Sequence, residues 1–121
     1  VAQREEKCNE IVSKFSDTVT DWTGLAEVRS NIWQKQLHLF EVPFYYIEYA
    51  IAQLGALAVW RNYCQNPKKA LEQYIAALSL GYTQPMKTIY ATAGIEFNFS
   101  KPYIQELMNF LADQIKKIEE S

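Results

Sequence analysis

The side chains best placed to do chemistry are the chain's only histidine, His38, and the tyrosines that follow it at Tyr45, Tyr46 and Tyr49. Imidazole N–H and phenol O–H groups are neutral donors. Aimed into a cavity, they stabilise an oxyanion as it forms without bringing a full charge to the site. Such a set needs its nucleophile and Lewis acid from elsewhere, because no complete catalytic set is visible in the 121 residues. One histidine excludes a His-Glu-x-x-His zinc motif, and Cys8 and Cys64 are not at zinc-finger spacing. Gly-rich phosphate loops and a Gly-x-Ser-x-Gly turn are absent as well. The plainer reading stays open at this point. A lone histidine near aromatic residues also serves as a hydrogen-bonded structural group, and tyrosines serve as core or interface rings. Glu48, in an otherwise apolar stretch, needs a basic partner, a surface edge or a proton.

The element that must position these groups is the run HLFEVPFYYIEYAIAQLGALAVWR from His38 to Arg61. Pro43 suits the first turn of a helix, where its missing N–H costs nothing and its φ is already right. The sequence therefore predicts one long central helix over about 43–65, with His38 in or beside the connection before it. From Phe44 to Trp60 only Glu48, Gln53 and Gly55 are neither apolar nor aromatic. At helical spacing Phe44, Ile47, Ile51, Leu54 and Ala58 share a core side, and Tyr46, Tyr49 and Gln53 share a second, polar side. A helix apolar nearly all round is buried or crosses a membrane. Spanning takes roughly 20 mostly apolar residues, and Glu48, Gln53 and the tyrosines sit mid-segment, so burial is the expectation.

Around this helix the pattern is helical throughout. Gln3 to Phe15 places Cys8, Ile11, Val12 and Phe15 on one face, and the polar run after it makes a loop. A second helix, capped by Asp21 or Thr23, extends to about Gln36 with Leu25, Val28, Ile32 and Trp33 as its apolar side. Asn66-Pro67 stops one helix and starts the next, over Pro67 to Leu80, with Gly81 as a left-handed C-cap. A shorter helix opens at Thr83 or Pro85 and closes at Gly94, with Ile89 and Tyr90 inward. Ile95 to Phe99 alternates strictly and suits a short extended stretch, with Phe97 and Phe99 filling a gap between helices. Ser100 and Pro102 start a last helix striped by Ile104, Leu107, Met108, Leu111, Ile115 and Ile118, its tail at Lys116-Lys117 suiting the helix dipole. The fold class is all-α, about six helices in an irregular bundle.

Composition is consistent with one domain or part of one: 49% hydrophobic, 14% aromatic, net charge −2. That balance argues against nucleic acid or an anionic membrane surface as a partner. Cys8 and Cys64 read most simply as free thiols of a reducing compartment, and the sequence is equally compatible with a disulfide between them. No signal peptide is visible in VAQREEKCNE. The chain starts without Met and reads as an excised C-terminal piece of something longer, spanning residues 1–121 as one helical segment.

The run QKQLHLFEVPFYYIEYAIAQLGALAVWRNY, followed by ALEQYIAALSLGYT, resembles the C-terminal part of the oligoendopeptidase F family, zinc metallopeptidases related to thimet oligopeptidase. The likeness covers essentially the whole chain, and His38 to Tyr63 is its specific part. In that family a His-Glu-x-x-His helix and a downstream Glu hold zinc, and the first Glu activates water. None of these has a counterpart here. The resemblance implies a histidine followed by tyrosines on the wall opposite the zinc, binding substrate and stabilising the tetrahedral intermediate. By motif match these are His38, Tyr46 and Tyr49, with Tyr45 in reserve as a substrate-binding residue because the thimet branch differs by about a residue in spacing. It implies an intact parent that uses zinc to hydrolyse oligopeptides in the cytoplasm, and a separate 121-residue chain that binds no metal, is inactive and self-associates through its uncovered aromatic face. The rival expectation is a free-standing helical module that binds a peptide or partner helix in an aromatic groove.

Overall fold

A computed structural model describes residues 1–121. It contains helices and loops with no strand, as the pattern predicts: α1 (Ala2–Phe15), α2 (Ala26–Asn31), a 3-10 turn (Ile32–Lys35), α3 (His38–Glu41), α4 (Ile47–Gln65), α5 (Pro67–Ser79), α6 (Met86–Thr92) and α7 (Lys101–Glu119). The chain divides into two compact units, Val1–Tyr46 and Ile47–Ser121.

In the first unit α1 packs on α2. Ser30 is its one fully buried residue. The expected apolar sides of these helices are only partly covered, since Ile11, Phe15, Leu25 and Val28 are exposed. Trp33 stacks on Phe40 with ring centroids 5.7 Å apart. The predicted second helix is shorter than expected, because after Asn31 the chain tightens into the 3-10 turn and then breaks.

The connection into α4 corrects the sequence reading in one respect. Pro43 does not open the helix. Tyr45 N–H donates to Val42 C=O at 3.1 Å, and Phe44 has φ 66°. Proline at the second position and positive φ at the third are the requirements of a type II turn. The same φ restriction that suits Pro43 to a helix start suits it equally to this turn, and here the turn prevails. Phe44, expected in the core, is consequently 95% exposed, and Ile47 is exposed too. Tyr46 lies in the turn, so it shares no helical face with Tyr49.

The second unit holds the core. Ala58, Ala77, Ala93, Ile95, Tyr103 and Leu107 form one buried cluster, with Leu54, Leu57, Val59, Ile89 and Tyr90 packed against it. α4 packs against α5 and α7, and α5 against α6. The contact residues are small, which lets helix backbones approach closely. Gly55 illustrates this: a Cβ there would lie 2.8 Å from the Tyr90 hydroxyl, which itself donates to the Ile51 carbonyl at 3.2 Å. The punctuation is as predicted. Asn66 Oδ1 accepts from Lys69 N–H at the start of α5, and Gly81 and Gly94 have φ 53° and 73° after the helices they follow. Ile95 to Phe99 takes no regular secondary structure and pairs with no strand. Phe97 meets Tyr90 and Phe99 edge-on, at 5.1 and 4.8 Å between centroids. Of the α7 stripe, Leu107 is wholly buried while Ile115 and Ile118 are exposed.

Candidate functional site

Three of the four candidate residues come together in the first unit. His38 opens α3, is half-buried, and accepts at its backbone carbonyl from Val42 N–H at 3.2 Å. The turn at Val42 to Tyr45 then reverses the chain and returns two phenol rings to the imidazole. Tyr45 lies nearly parallel to it, centroids 6.2 Å apart and planes 5° apart. Tyr46 sits at 5.7 Å with a 41° tilt. Tyr45 and Tyr46 are each a little under half exposed. The cluster is thus a wetted surface of aromatic rings with polar tips, built by a turn. Tyr49 belongs to the second unit, in the first turn of α4, with 52% of its surface exposed. The structure therefore groups His38, Tyr45 and Tyr46, and places Tyr49 on a separate element.

The chemistry open to such a cluster is hydrogen-bond donation to a carbonyl oxygen or an anion. Metal chemistry finds no support in these side chains. No group of three or more His, Cys, Asp and Glu residues comes together in a way that could hold a metal ion. His38 packs against two phenol rings, and Cys8 and Cys64 are free thiols in different units. The residues present do not fit a zinc site.

Glu48 makes no ion pair with Arg61, which pairs instead with Glu106 on α7 and lies over the Tyr103 ring. The exposed edge of α4 meets its need for solvation.

A cavity of about 490 Å3 lies in the second unit between α4, α5 and α6, walled by Trp60, Tyr63, Leu71, Tyr74 and Leu78 over a floor of alanines and Gly55. None of the four candidate residues lines it. Sequence reading allowed for an aromatic groove but did not place one between these helices. The signal available was the small-residue spacing of Ala52, Gly55, Ala56, Ala70 and Ala77.

Tyr90 borders this cavity, and burial, with a smaller contribution from Tyr103 beside it, pushes its phenol above the ordinary value of 10.0. No helix is long and apolar enough to cross a membrane.

The model of peptidase family M3 matches residues 1–109, and the chain belongs to that family of metallopeptidases. No curated protein and no solved structure gives a match.

Proposed function

We propose that this chain is the C-terminal helical segment of an oligoendopeptidase-F-type zinc peptidase that hydrolyses short peptides in the cytoplasm. The single observation that carries the reading is the family match over residues 1–109. On this reading the zinc ligands and the water-activating glutamate lie outside residues 1–121, and the chain alone does not turn over peptides. His38, Tyr46 and Tyr49 donate hydrogen bonds to the scissile carbonyl oxygen as it gains negative charge, and Tyr45 lies against the substrate.

The accessible surface supports a segment reading. It amounts to 9646 Å2. A folded monomer of this mass exposes about 6,700 Å2, and two separately folded units of the same total size about 8,100 Å2. Tyr63, Leu71, Tyr74, Ile75 and Leu78 are among the exposed apolar residues. Freed from its parent, such a surface self-associates. The groove between α4, α5 and α6 favours a second reading, a helical module that takes a peptide or partner helix.

The coding sequence upstream of Val1 separates the two. A His-Glu-x-x-His helix with a further glutamate downstream is the expected finding, and its absence there overturns the peptidase. On the protein itself, purified residues 1–121 supplied with zinc should show no hydrolysis of a quenched fluorescent oligopeptide. Chelator-sensitive turnover by that chain would remove the segment reading.

A further inference from the structure

Arg29, on α2, is the one lysine or arginine of the first unit that is not fully exposed, and it has no acidic partner. The ion pairs of the chain use Lys7, Lys14, Arg61 and Lys116. Arg29 Nη2 donates to Ser13 Oγ at 3.3 Å and to Ser16 Oγ at 3.2 Å. Its guanidinium lies over the Trp22 ring, with Cζ 5.8 Å from the centroid, and its Nε is buried without a hydrogen-bond partner. The nearby carboxylates are committed elsewhere: Glu10 to Lys7 and Lys14, Asp17 to Thr20 and Val19, Asp21 to Thr23. None of them owes its lowered pKa to Arg29.

A guanidinium has five N–H donors in a planar fork, and two hydroxyl acceptors leave most of them unspent. Partial burial of that charge with no counter-charge is unfavourable, so an anion that reaches it gains more than it would at a free surface. The space to receive one is present. A cavity of about 260 Å3 is lined by Asn9, Ser13, Trp22, Ala26 and Arg29. Ser16 spends its hydroxyl hydrogen on Val12 C=O at 2.7 Å and faces Arg29 as an acceptor only. Ser13 makes no such donation, so its O–H remains available to a second acceptor, and the Asn9 amide adds donors of its own.

We propose that this cavity is a binding site for the carboxylate of a peptide, either its C-terminus or an Asp or Glu side chain, held by the Arg29 fork with Ser13 and Asn9 as secondary donors. A carboxylate suits the site better than a phosphate dianion for two reasons. The cavity has one positive charge, and Trp22 and Ala26 give an apolar wall for the carbon chain that a carboxylate carries. The inference requires neither hydrolysis nor the His38 cluster.

The test is a titration of the 15N-labelled chain at fixed ionic strength, following Arg29 Nε–H, the Asn9 side-chain amide and the Trp22 indole. The probes are acetyl-alanine, acetyl-aspartate amide and acetyl-alanine amide, with chloride as the control anion. Saturable shifts with a Kd of about 1–10 mM are expected for one charge-assisted contact at a partly exposed site. They should occur with one or both carboxylates and not with the neutral amide or chloride, and which carboxylate acts identifies the source. Arg29→Gln should abolish them, and Arg29→Lys, which keeps the charge but loses the fork, should weaken them roughly tenfold. If Arg29→Gln loses the dispersed resonances of the first unit, the Lys variant and the neutral-amide control decide the matter. Unsaturable or absent shifts, an equal response to the neutral amide, or undiminished binding by Arg29→Lys would overturn the site.

Discussion

Tyr46 and Tyr49 bear most directly on the donor reading, because a single atom separates function from packing there. Tyr→Phe keeps the ring and deletes one hydrogen bond. In the peptidase proposed above each change should lower kcat by about 10²–10³, with thermal stability scarcely altered, since both rings are half in solvent. Steady-state kinetics with a melting curve decide it: wild-type kcat with a lowered Tm would make the tyrosines structural. Phe44 makes the opposite case. A buried ring there would cost several kcal/mol on truncation, but its φ is 66° and its side chain is in solvent. Left-handed backbone costs an ordinary residue about 1–2 kcal/mol that glycine does not incur. Phe44→Gly should therefore be neutral or stabilising by about 1 kcal/mol in urea denaturation, and a large loss would restore the core reading. At Tyr90 burial holds the phenol protonated above 10.0. Its contribution to stability is fully present below about pH 10, where the unfolded phenol starts to ionise. It is lost as pH rises through the raised folded value, because the folded state then holds a proton the unfolded state has given up. Tyr90→Phe should flatten that alkaline loss, while costing about 1 kcal/mol at neutral pH for the hydrogen bond to Ile51. Denaturation midpoints at about pH 8 and pH 11 read both effects, and parallel slopes in the two proteins would exclude Tyr90 as the source.

Among the elements, α7 is two different helices along its length. Its first half carries Tyr103 and Leu107 into the core against α4, and Glu106 reaches Arg61. Its second half presents Ile115 and Ile118 to solvent. Leu107→Ala should cost about 2–5 kcal/mol, the transfer energy plus a cavity among alanines that are too small to refill it. Ile118→Ala should cost less than about 0.5 kcal/mol in the same assay. Comparable losses at the two positions would mean that the distal half is covered in solution. The periodicity of α7 is uniform, so it marks the stripe without marking where the partner ends. The α3–α4 junction has the same character. Its residues are those of a helix start, and hydrogen bonding between Tyr45 N–H and Val42 C=O makes them a turn.

At the scale of the whole chain, stability is concentrated in one unit. Every buried apolar residue belongs to Ile47–Ser121, and Val1–Tyr46 buries only Ser30 fully. Hydrophobic burial is the main favourable term in folding, so residues 47–121 expressed alone should keep their helicity and unfold cooperatively. Residues 1–46 alone should give a shallow, non-cooperative melt. Circular dichroism of the two pieces tests this, and a sharp transition in the shorter one would show that its helices need no further partner.

Much of this was legible without coordinates. The helical class, the stop and start at Asn66-Pro67 and the glycine caps at Gly81 and Gly94 are local matters of φ, capping and period, and these act within a few residues. The M3 kinship was legible too, since the match extends over residues 1–109 as contiguous sequence. The run around His38 also holds the histidine and tyrosines close in sequence, which is why the pairing of His38 with Tyr45 and Tyr46 follows from a single turn. What tertiary structure decided was everything that depends on a neighbour from far along the chain. It set which end of each apolar stripe is covered, and it paired Arg61 with Glu106 rather than Glu48. It left Arg29 beside a cavity without an acid. Periodicity states that a face is apolar, but the partner that buries that face, or fails to, is a long-range fact with no local signature.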